Sequence, residues 1–73
     1  MIGMLSKIIA FCEDRGLPEE GWRPTASVPA TPLQIFDRYE GEERTNVAYV
    51  STPWERIKVY DLSSLAVIAE GYL

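Results

Sequence analysis

The stretch LQIFDRYEGEERTNVAYVSTPWERIKVY, residues 33–60, decides how this chain folds. Its apolar residues recur at alternate positions, and the runs are broken at Gly41 and Pro53. A period of two matches the pleat of a β-strand, whose successive side chains point to opposite faces, while glycine and proline supply the turns. The spacing predicts strands over about 33–39, 44–51 and 55–60, paired antiparallel through short turns. One face is expected to carry Leu33, Ile35, Val47, Tyr49, Ile57 and Val59 and to seat a helix. The other is expected to carry Phe36, Ala48, Val50 and Tyr60 among Gln34, Arg38 and Lys58, a second and only partly apolar surface.

The helix comes from the N-terminal side. Over about 4–15 the apolar residues Met4, Leu5, Ile8, Ile9, Phe11 and Cys12 recur at spacings of three and four, which gathers them on one stripe of a helix. Gly16 stands where a left-handed terminating residue belongs, and Pro18 follows two positions later. A helix this short is marginal in water by itself, so its stripe must be covered.

Between helix and sheet lie residues 17–32, with prolines at 18, 24, 29 and 32. Each removes a backbone donor and biases its predecessor toward extended conformations, which excludes a helix and disfavours a central strand. An extended connector crossing one side of the domain is expected, with Trp22 and Val28 pinned on the core. PATP at 29–32 has the spacing of a polyproline ligand, but the flanking positions where such ligands carry arginine hold Ala26 and Gln34. The tail, residues 61–73, fits a turn at DLSS followed by a strand, and it also fits a short helix with Leu62, Leu65, Ile68, Ala69 and Tyr72 at helical spacing. The expected whole is a single small α+β domain: one N-terminal helix on an antiparallel sheet of three or four strands, joined by a Pro-rich extended connector.

Composition narrows the function. At 73 residues a chain buries only about 60–65% of the surface its unfolded form exposes, and small domains often add disulfides, metals or partners. Cys12 is the single cysteine and there is no histidine, so an internal disulfide is impossible and zinc sites built from Cys and His are excluded. No cofactor or metal is expected. Cys12 lies on the apolar stripe of the helix with no histidine to activate it, which marks it as a buried small hydrophobe. No glycine-rich phosphate loop is present, and the chain is not expected to be an enzyme.

The net charge is −4, and the seven basic residues are scattered singly. Direct binding of nucleic acid is therefore not expected. The apolar runs IIAFC and LAVIA fall far short of the ~20 residues that cross a bilayer, and the opening MIGMLSKIIAFCEDRG lacks a basic leader and a small-residue cleavage site. A cytoplasmic protein without membrane contact is expected.

Docking on another protein remains. The acidic hairpin tip YEGEER offers Glu40, Glu42 and Glu43 to a basic partner, Trp54 follows Pro53 at the start of a strand, and Phe36 and Tyr60 stand on the sheet face left to spare. These six residues are the candidate partner-binding set. The chain reads as a small acidic protein-binding module without catalytic activity. In its sharpest form it is a phage or mobile-element inhibitor that occupies a basic nucleic-acid-binding surface of a host defence complex. The alternative is a structural subunit or homo-oligomer buried in a permanent assembly.

Overall fold

The computed structural model describes residues 3–27 and 30–73; Val28 and Pro29, and with them part of the PATP run, lie outside the described residues. Helix α1 spans Met4–Asp14, followed by strands β1 Trp22–Ser27, β2 Leu33–Glu40, β3 Glu43–Ser51, β4 Arg56–Asp61 and β5 Ala66–Tyr72. The strands form one antiparallel sheet in the order β1-β2-β3-β4-β5, so every strand pairs with its neighbour in sequence. The class is α+β, with five strands where three or four are expected from sequence.

Two segments supply the difference. The connector, read as crossing the domain unpaired, hydrogen-bonds along β2 as strand β1. Pro24 is accommodated because β1 lies at the sheet edge and its register shifts between Pro24 and Ala26, so the missing N–H interrupts little. The tail takes the strand alternative. Asp61 closes the turn before it, its carboxylate accepting hydrogen bonds from the Ser63 and Ser64 hydroxyls and the Ser64 N–H at 2.6, 2.8 and 3.0 Å.

The stop signal at the end of α1 works as its sequence implies. Gly16 adopts φ +69°, its N–H donates to Glu13 O at 3.2 Å, and the Leu17 N–H reaches back to Cys12 O at 2.9 Å. These paired bonds satisfy carbonyls that the helix end would leave orphaned. Leu17 then packs on the core, which turns the chain toward β1.

Register decides which sheet face α1 covers, and here the structure corrects the expected assignment. In β2 and β3 the pairs are Phe36↔Ala48 and Gln34↔Val50, whereas in β3 and β4 they are Val50↔Ile57 and Ala48↔Val59. Even-numbered residues of β2 and β3 therefore share a face with odd-numbered residues of β4. The turn from Ser51 to Arg56 sets this offset, because a change of one residue in pairing moves a whole strand's side chains to the other face. The helix-bearing face is Phe36, Ala48, Val50, Ile57 and Val59, joined by Trp22 and packed against Ile8, Phe11 and Cys12. Leu33, Ile35, Val47 and Tyr49, expected beneath the helix, lie on the opposite face.

Small residues let α1 lie close. Ala48 is fully buried in the middle of the sheet, and a Cβ at Gly71 would meet Phe11 Cε2 at 3.4 Å. Trp22, 7% exposed, fills the β1 side of the core, with its indole N–H directed at Pro18 O at 3.4 Å. Burial raises the Cys12 thiol above its usual pKa.

Gly21 controls how β1 joins β2. It has φ +89°, its carbonyl accepts the Tyr39 N–H at 2.9 Å, and an added Cβ would fall 2.1 Å from Tyr39 O. Gly21→Ala is expected to lower stability by at least about 1–3 kcal/mol, through backbone strain together with a clash against main chain that cannot swing away. Thermal unfolding checks it; a melting temperature equal to the unsubstituted chain would mean that β1 does not approach β2 in this way.

Candidate functional site

On the face away from α1 the cross-strand pairs align into rows: Leu33, Ser51, Arg56 and Tyr72; then Ile35, Tyr49, Lys58 and Glu70; then Asp37, Val47, Tyr60 and Val67, with Arg23 beside Asp37. No helix covers these rows among the described residues. Tyr49, Val67 and Tyr72 are exposed there at 38%, 45% and 71%. Exposed aromatic and branched side chains on an uncovered sheet face are the composition of a docking surface, since tyrosine brings apolar area with a polar tip.

Tyr49 divides two shallow hollows. One, of about 430 Å³, is lined by Val47, Tyr49, Tyr60, Leu62 and Leu65. The other, of about 530 Å³, includes Leu33, Tyr49, Arg56, Lys58, Glu70 and Tyr72 in its lining. The Tyr49 and Tyr60 rings meet edge to face, with centroids 5.6 Å apart and planes at 87°, which fixes the wall of the first hollow. The Arg56 guanidinium lies 5.9 Å from the Tyr72 ring centroid in the second, and Lys58 Nζ is 4.0 Å from Glu70.

Leu65 stands out within the first hollow. It is 73% exposed and holds φ +62°, a left-handed conformation costly for a γ-branched side chain. Its N–H donates to Asp61 O at 2.7 Å, so the turn itself holds it there. The chain thus retains an exposed leucine where glycine would be less strained.

The acidic residues gather at another place, the end of the sheet that carries the β2–β3 and β4–β5 turns. Two adjoining hollows share Pro18 and Arg38; one is bordered by Glu13, Glu19 and Glu20, the other by Glu40, Glu43 and Asp61. Arg38, 7% exposed, is the cation at the centre. Its Nε donates to Glu20 O at 2.8 Å and its Nη1 to Glu40 Oε2 at 2.8 Å, Thr45 Oγ1 at 3.1 Å and Asn46 Oδ1 at 3.3 Å. Glu13 and Glu19 crowd each other enough that hydrogen bonding to Glu13, and then its charge, hold the Glu19 carboxyl above its usual range.

The residues singled out in the sequence are not one surface. Glu40, Glu42 and Glu43 form the exposed tip, with Gly41 at φ +64° making the turn. Trp54 is 70% exposed in the β3–β4 turn, at the opposite end of the strands. Phe36 and Tyr60 fall on opposite sides of the sheet: Phe36 is 4% exposed under α1, while Tyr60 is half-buried on the open face. Sequence reasoning missed Tyr49, Leu65 and Tyr72. The signal for Tyr49 was its hydroxyl, which suits a wetted face better than a core position under a helix, and the tail could be placed only after its strand was known.

Among the described residues no group of His, Cys, Asp or Glu is arranged to hold a metal ion, and no helix is long and apolar enough to cross a membrane. Asp37 is 2% exposed on the open face, with Oδ2 3.5 Å from Arg44 Nη1 and Oδ1 without a partner among the described residues. Comparison with protein-family models, with characterised proteins and with solved structures finds no match to the chain.

The acidic end predicts a pH dependence. Because the folded-state pKa of Glu19 is raised, its ionisation beside Glu13 opposes folding at neutral pH, and this penalty fades as pH falls through the raised pKa toward the unfolded value. Glu13→Gln is therefore expected to raise the melting temperature at about pH 7 and to change it little near pH 4, where carboxylates protonate. Thermal unfolding at the two pH values checks this; an equal gain at both would place the effect elsewhere.

Proposed function

We propose that this chain is a non-catalytic protein-docking module whose working surface is the open face of the sheet. The observation that carries the reading is Leu65, exposed and held at positive φ beside the Tyr49–Tyr60 corner. A strained, solvent-facing leucine costs stability in the free molecule and is useful once a partner covers it. Five strands about 19 Å across and up to nine residues long give the face on the order of 500 Å² in outline, the size of a small, transient interface. The edges of the sheet support the same reading. β1 carries Pro24 and a register shift that blunt strand addition, whereas β5 presents AVIAEGY with Glu70 as its one charge.

A second reading has its own support in the acidic end around Arg38. A surface there rich in carboxylates suits a basic partner, and its finer form is the phage or mobile-element inhibitor that occupies a nucleic-acid-binding surface of a host defence complex. Net charge −4 and the crowding of Glu13 against Glu19 favour it. The permanent subunit is the remaining form, in which the open face is buried against other chains.

Leu65→Gly separates folding from docking. Relief of the left-handed leucine is expected to leave stability unchanged or raise it by up to about 1 kcal/mol, seen as an equal or higher melting temperature, while retention of partner proteins from the source cell by the immobilised chain falls. Glu40, Glu42 and Glu43 changed together to Gln should leave retention on the open face intact at high salt. Undiminished retention by the folded Leu65→Gly chain would contradict the open-face reading, and loss of retention in the glutamine variant alone would favour the acidic end.

A further inference from the structure

We infer that the open face receives the acidic hairpin tip of a second copy of this chain, so that molecules join head to tail. The inference rests on the docking reading above only in taking the open face as a docking surface, and it names the occupant of the end of that face away from Leu65. Charge is unevenly placed: the chain carries −4, yet its open face holds Arg23, Arg44, Arg56 and Lys58 against Asp37 and Glu70. Two of these cations are little used within the molecule. Arg56 makes no ion pair among the described residues, and Lys58 Nζ is 4.0 Å from Glu70 Oε2, with both side chains more than half exposed.

The tip is in the complementary condition. Glu40 and Glu43 sit directly opposite each other across the hairpin, a like-charge pair that opposes its own turn. Arg38 relieves Glu40, while Glu42 and Glu43 make no ion pair among the described residues. A second molecule's arginine and lysine would satisfy them.

Geometry makes the contact intermolecular and directional. The tip leaves the sheet at the start of β3, and the hollow with Arg56, Lys58 and Tyr72 lies at the other end of that strand, beside Ser51. The nine residues of β3 span about 30 Å, so no molecule can place its own tip in its own hollow. Tip and hollow are different surfaces, so the contact either closes, as a two-fold pair exchanging tips or as a larger ring, or continues as a chain, and it leaves the first hollow by Leu65 clear. The two-residue turn at Gly41 and Glu42 is slim enough to enter a depression of about 530 Å³.

The test is the mass in solution, by sedimentation velocity across concentration, at about 20 mM and about 500 mM salt. The unsubstituted chain is expected to associate at low salt and to separate at high salt. Tip reversal (E40K, E42K and E43K together) and face reversal (R56E with K58E) should each weaken association at least about tenfold, because each variant now repels itself. An equimolar mixture should associate again, lysine tip in acidic face and glutamate tip in basic face. Should either reversal unfold the chain, the neutral sets E40Q/E42Q/E43Q and R56Q/K58Q are expected to be monomeric at low salt and carry the test instead. A chain that stays monomeric at about 1 mM and low salt, a reversed variant that still associates, or a mixture that stays apart overturns the inference. A cyclised peptide of the tip sequence YEGEER, titrated onto a monomeric chain, distinguishes the failures. Binding of the peptide would overturn the second copy in favour of an acidic hetero-partner, with docking on the face retained. No binding would remove this end of the face from the docking reading too.

Discussion

One helix cannot cover two faces of a sheet. The eleven residues of α1 make a rod of about 16 Å, and five strands at about 4.8 Å spacing make a sheet about 19 Å wide. That single helix suffices for one face, with Ala48 and Gly71 giving it room to approach and Trp22 closing the side toward β1. No helix covers the other face among the described residues, although Asp37 and Val47 are buried within it. The fold therefore settles on a sheet buried on one side by Ile8, Phe11 and Cys12 and open to water over much of the other, where tyrosine and long charged side chains stand among Leu33, Ile35, Val47 and Val67.

Much of this was legible in sequence, and the parts that were not have physical reasons. The period of two over 33–60 and the period of three and four over 4–15 reflect local backbone geometry, so the helix and the three middle strands follow from residue order. The pairing offset across Ser51 and Arg56 does not; it depends on how four turn residues, including Glu55 at φ +48°, carry the chain around. An odd offset moved Ile57 and Val59 from the side of Val47 and Tyr49 to that of Ala48 and Val50. Phe36 went to the core with them, and Tyr49 to the surface. β1 was hidden for a different reason. Its proline, Pro24, argues against a central strand and is silent about an edge, where a strand has a neighbour on one side only.

The candidate surfaces divide in the same way. The acidic tip is a local feature, and its residues stand together in sequence as they do in space. The open face is assembled from four strands with Leu65 at its margin, so it emerges only with the register. The two surfaces also differ in sign, since carboxylates crowd the end around Arg38 and the cations Arg56 and Lys58 line the open face. That polarity in a chain of net charge −4 is the observation on which the proposed pairing of face and tip rests.

The account depends on which face of the sheet is open, and covalent footprinting of the free chain with a carbene-generating reagent, read residue by residue, measures that directly. Strong labelling of Tyr49, Leu65 and Tyr72, with Phe36, Phe11 and Trp22 protected until the chain is unfolded, is the expected result. Labelling of Phe36 in the native chain as strong as that of Tyr49 would put α1 on the other face and contradict the account.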